Sequence, residues 1–107
     1  MSEPITITIH PFILGKPKET AVKVLEEAAE SYSEWLRIDE CSARPEVCRE
    51  CTSLDYGDGC DIRTDFEDEL ADVVQTAVNL ATRYGIDMAD AMRRCEERNR
   101  NRGRYNA

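Results

Sequence analysis

The stretch TDFEDELADVVQTAVNLATRYG, residues 64–85, decides the fold of this chain. Phe66, Leu70, Val73, Val74, Ala77, Leu80, Ala81 and Tyr84 recur at spacings of three and four, the rhythm of a broad apolar helix face. Thr64 and Glu67 have the T-x-x-E spacing of a capping box, which satisfies free N–H groups at a helix start. Gly85 is a natural left-handed stop. The pattern predicts a helix over 64–84, and near its middle lies Glu69-Leu70-Ala71-Asp72.

Two further helices flank it. Upstream, Val22, Leu25, Ala29, Tyr32 and Leu36 form a seam that predicts a helix over 17–38, with Pro17 in its first turn, where a missing N–H costs nothing. The seam is enough to dock this helix on a partner. Downstream, Asp87 is placed to cap a helix over 88–99 whose inner face carries Met88, Ala91, Met92 and Cys95. The Arg/Asn-rich end is expected to fray unless a ligand or subunit orders it. At the start, Ile5-Thr6-Ile7-Thr8-Ile9 alternates in the manner of a short strand or an extended arm. The expected fold is therefore all-α, a single domain over 1–107. Its parts are an N-terminal arm (1–16), a Cys-rich insert (39–63) between two acidic helices, and a basic tail (93–107). Three helices of these lengths make a thin core, so an antiparallel bundle completed by oligomerisation is expected, as a dimer or tetramer.

Composition narrows the function. The chain has 107 residues and a net charge of −8, which argues against general nucleic-acid or anionic-membrane binding. No apolar run is long enough to span a bilayer. The N-terminus lacks the features of a signal peptide, so the expected location is the cytoplasm, where the five cysteines would be mostly reduced.

Glu27-Ala28-Ala29-Glu30 and Glu69-Leu70-Ala71-Asp72 are the chemically telling pairs. Residues three apart on a helix are surface neighbours, so each pair aims two carboxylates in roughly one direction. Such like charges repel unless a cation sits between them, and hard cations such as magnesium prefer oxygen ligands. Two antiparallel helices, each giving one pair, could hold magnesium that bridges substrate phosphates and activates a water. The plain alternative is a solvated acidic face. At about 100° per residue, Glu27, Glu30 and Asp72 fall on polar sides of their helices, but Glu69 lies at the edge of the apolar arc and Glu27 borders Ile38 and Trp35, which suits a cleft wall better than open surface.

The run Leu25-Glu26-Glu27-Ala28-Ala29-Glu30, followed by Glu69-Leu70-Ala71-Asp72-Val73-Val74, resembles the MazG family of all-α nucleoside triphosphate pyrophosphohydrolases. So do Asn79-Leu80-Ala81, Tyr84-Gly85-Ile86-Asp87, Ala89-Asp90-Ala91-Met92 and the basic end from Glu97 to Arg102. The resemblance implies magnesium, with manganese as a substitute, held by Glu27, Glu30, Glu69 and Asp72, and Glu26 not a direct ligand. It implies water attack within a nucleoside triphosphate, releasing pyrophosphate. Glu30 is the candidate to orient or deprotonate that water. Lys23, Arg98, Asn99 and Arg102 are candidate phosphate contacts, although Lys23 also reads as a surface ion-pair partner of Glu27 and the arginines as solubilising charges. Trp35 is a candidate to stack on the base, but a core or subunit-interface side chain is the reading favoured over it. Asn79 reads either as a contact to a base edge or as an ordinary polar-face residue. Two features depart from the family: the segment between the acidic pairs is longer than usual, and the N-terminal part has no clear helix.

That long segment holds Cys41, Cys48, Cys51 and Cys60 in a C-x6-C-x2-C-x8-C array. Four thiolates suit one closed structural zinc site; free thiols are the competing reading, with disulfides or an iron–sulfur cluster as lesser alternatives. Cys95 reads as a small core residue. A non-enzymatic helical adaptor with a zinc-stabilised loop is the alternative function, and nucleic-acid binding through the arginine tail is disfavoured by the net charge.

Overall fold

Pro17 opens the first helix, as its missing N–H allows. In a computed structural model, which describes residues 3–43 and 61–106, α1 runs Pro17–Ala43, α2 Asp61–Arg83 and α3 Met88–Asn101. No strand occurs among the described residues, in keeping with an all-α fold. Residues 5–9 form part of an arm without strand pairing. Among the described residues, no helix is long and apolar enough to cross a membrane.

α1 and α2 pack against each other along their length, and among the described helices α3 packs on α2 alone. Arg37, towards the end of α1, pairs with Asp65, near the start of α2, at 3.2 Å. At the opposite end the Arg83 guanidinium donates to Thr20 Oγ1 at 3.4 Å. These two ties make the helices antiparallel, as expected.

α1 meets α2 through a face other than its apolar seam. Thr20 and Glu27 are buried, and Val24, Ser31, Glu34 and Ile38 are half-buried, so this stripe forms the contact. The seam of Val22, Leu25, Ala29, Tyr32 and Leu36 is exposed. Periodicity identifies an apolar stripe but says nothing about which neighbour covers it. Here the smaller and more polar stripe lets the two helices approach, and the large apolar side chains point away from α2.

The helix ends also shift. α1 continues past Ile38 to Ala43, and α2 begins at Asp61 rather than Thr64. Asp61, Ile62 and Arg63 include no helix breaker, and an acid in the first turn suits the helix dipole. Thr64 therefore lies inside α2 and caps nothing. The other end behaves as expected. Gly85 adopts φ +66°, its N–H donates to Thr82 O at 3.1 Å, and the Ile86 N–H donates to Ala81 O at 2.9 Å. This is a Schellman closure. Asp87 then caps α3, its side chain accepting the Asp90 N–H at 3.0 Å.

The basic end turns back on α3 through defined backbone hydrogen bonds. α3 closes with a second Schellman pair, Gly103 N–H to Arg100 O at 3.0 Å and Arg104 N–H to Asn99 O at 2.9 Å. Tyr105 then lies beneath the Arg100 guanidinium, 6.0 Å from its ring centre.

Candidate metal centre and adjoining cleft

The α1–α2 contact brings the two acidic pairs together. Glu27, Glu69 and Asp72 each present a carboxylate oxygen, and these three atoms lie within 4.8 Å of one another. Glu27 is only 6% exposed although it was expected on a polar face, because that face is the one packed against α2. Glu69 is half-buried, and Glu30 and Asp72 are exposed. One oxygen each of Glu27 and Glu69, both Oε2, is buried with no hydrogen-bond partner.

Unpartnered buried carboxylate oxygens demand a compensating charge. Lys23 supplies part of it, with Nζ 3.2 Å from Glu27 Oε1 and 3.6 Å from Glu26 Oε2. Its hydrogen bond to Glu27 holds the ammonium pKa above its ordinary range. Nothing comparable reaches Glu69 among the described residues. Burial pushes the Glu69 carboxyl up to about 7, and the facing carboxylates of Glu30 and Glu27 add to the shift. The donor set is all oxygen, comes from two rigid helices, and leaves two oxygens unsatisfied. It fits a hard divalent cation.

A cleft of about 370 Å³ opens beside this cluster. Lys23, Glu27 and Asp72 line it, with Phe12 and Leu14 of the arm and Gln75 and Asn79 of α2. The arm is pinned across α2 by backbone groups. Asn79 Oδ1 accepts the Phe12 N–H at 3.0 Å, Gln75 Nε2 donates to His10 O at 3.1 Å, and Arg83 donates to Gly15 O at 2.9 Å. The Thr20 hydroxyl donates to Leu14 O at 3.4 Å, or to Lys16 O at 3.2 Å.

The remaining sequence-predicted residues stand apart from the cleft. Trp35 stacks on Tyr32 with ring centres 5.8 Å apart and remains 42% exposed, and it does not line the cleft. Arg98, Asn99 and Arg102 sit at the C-terminal end of α3 and do not line it either. Asn99 instead donates to Cys95 Sγ at 3.6 Å, and Arg102 forms the helix cap. Cys41 is half-buried on α1; Cys48, Cys51 and Cys60 lie outside the described residues.

Sequence reasoning gave Gln75 no role and left Asn79 undecided. A signal was present: Asp72, Thr76, Asn79 and Arg83 follow one another at spacings of four, three and four. A polar stripe with that rhythm on an otherwise apolar helix marks a polar seam. Compared with known proteins, this chain matches no family model, no curated protein and no solved structure.

Proposed function

We propose that this protein is a magnesium-dependent hydrolase that cleaves nucleoside triphosphates to monophosphate and pyrophosphate. The observation carrying this reading is the buried Glu27 carboxylate, with an unpartnered oxygen, grouped with Glu69 and Asp72 across two helices. The motif order that resembles the MazG family supports the same chemistry. Glu27, Glu69 and Asp72 would hold the ion, with Glu30 beside Glu69; bound magnesium would neutralise phosphate charge and acidify a water.

The chain's own groups do the remaining work. Lys23 lines the cleft and offers donors to non-bridging phosphate oxygens. Glu30 is exposed and faces Glu69, which suits it to take the proton of an attacking water. The water oxygen bonds to phosphorus, the bond to the bridging oxygen breaks, and pyrophosphate leaves. Catalysis rests chiefly on positioning and charge neutralisation.

The protein would act as a homo-oligomer. Leu25 is 71% exposed, Tyr32 60% and Leu36 45%, while Ala81 is the one buried hydrophobic among the described residues. Burying a leucine-sized side chain contributes about 1.5–3 kcal/mol, so covering this stripe with a second copy offers a large gain. A subunit contact is also the route by which the α3 arginines, absent from their own protomer's cleft, would meet substrate phosphates.

The test is incubation with magnesium and a panel of canonical and modified nucleoside triphosphates. Monophosphate and pyrophosphate in equal amounts from at least one nucleotide supports the reading. No turnover with magnesium or manganese, together with bound zinc, would replace it with the helical adaptor.

A further inference from the structure

The arm leaves two amide atoms with a defined direction of hydrogen bonding. Asn79 Oδ1 accepts a backbone N–H from Phe12 and also the Gln75 amide, at 2.9 Å. Gln75 Nε2 donates to a backbone carbonyl, that of His10. Backbone N–H groups only donate and carbonyls only accept, so neither amide can be flipped without losing its bond. Asn79 Nδ2 is therefore a donor without a partner among the described residues, and Gln75 Oε1 an acceptor without one. Both residues line the cleft.

The arm also supplies apolar surface there. Phe12 is 51% exposed and Leu14 72%, although both line the same cleft. Exposed apolar side chains beside a donor–acceptor pair suit a flat heterocycle that carries polar groups on its edge. Lys23, Glu27 and Asp72 line the cleft too, so a ring lying there adjoins the carboxylate cluster.

We infer that the arm and α2 together form the nucleobase pocket, with Asn79 Nδ2 and Gln75 Oε1 contacting the base edge and Phe12 packing on the ring. The inference rests on the proposed nucleotide substrate, but it does not require turnover. Asn79 thus has two functions: its oxygen holds the arm in place, and its nitrogen contacts the base. Trp35 does not line this cleft.

The test is metal-free binding of the four common nucleoside 5′-monophosphates to wild type, Phe12→Ala and Asn79→Asp, followed by backbone amide NMR. Manganese affinity is measured separately without nucleotide. Asn79→Asp keeps an oxygen to accept the Phe12 N–H and turns the donor into an acceptor. The expected result is that at least one monophosphate binds wild type and shifts the Phe12 and Asn79 amides. Each variant should weaken it about tenfold or more, the cost of roughly one good contact, and Asn79→Asp should reorder the preference among bases. In Phe12→Ala, melting temperature and manganese affinity should stay near wild type. If Asn79→Asp proves unstable, Phe12→Ala decides alone. Absence of monophosphate binding to wild type, or unchanged affinity in Phe12→Ala, would overturn the inference. Failure of manganese to bind would instead remove the metal-centre reading and leave the pocket result standing.

Discussion

Glu69 is held where solvation is poor and two other carboxylates face it, so its proton leaves only near pH 7. Its folded pKa lies above its ordinary value of 4.5. Between those values the folded chain keeps a proton that the unfolded chain has released. Stability of the metal-free protein from this group must therefore fall as pH rises from 4.5 towards 7, with the full penalty above. Thermal melts in chelator should show this slope, magnesium should flatten it, and Glu69→Gln should remove it. A metal-free melting temperature that rises across the same window in wild type relative to Glu69→Gln would contradict the assignment. At this scale the sequence was informative about identity: the two acidic pairs were legible from their spacing. It did not reveal that Glu27 is buried, because burial depends on which face of α1 meets α2. The arm contacts were equally hidden, since the Phe12–Asn79 bond joins residues far apart in the chain and the arm has no periodicity.

Single helices followed their local signals where the chemistry is local. Gly85 and Asp87 were readable as stop and cap because both act within a few residues of themselves. Among the described residues beyond its chain neighbours, no atom lies within 4 Å of the position a Cβ would take on Gly85, so replacing it carries chiefly the backbone cost of φ +66°. Gly85→Ala should destabilise by about 1–2 kcal/mol. Asp87→Ala, which loses the side-chain acceptor for the Asp90 N–H, should cost about 1 kcal/mol. Denaturant melts of both variants check these values; an effect near zero for Gly85→Ala would show that the closure does not matter to the fold. The start of α2 was misread because a capping-box spacing also occurs inside helices, where the N–H groups are already paired. Against the fraying expected of the arginine-rich end, Gly103 closes α3 in the same manner as Gly85 closes α2.

Among the described residues, the polar seam lies inside and much of the large apolar surface outside. Val22, Leu25, Tyr32 and Leu36 lie along the outward side of α1, at the spacing expected of a face that docks on another helix. Paired substitution of Leu25 and Leu36 by Asp should convert an oligomer to monomer in light scattering coupled to size exclusion. A wild type that is monomeric at high concentration would contradict the subunit contact. The all-α class was legible because each helix has its own rhythm, whereas the proposed assembly rests only on a deficit of core. The most direct test of the central claim compares pyrophosphate release by wild type and Glu69→Gln with magnesium and the nucleotide panel. The prediction is stoichiometric monophosphate and pyrophosphate from wild type, and a loss of at least about a hundredfold in a variant that still melts cooperatively. Turnover retained by Glu69→Gln, or none by wild type, would contradict it.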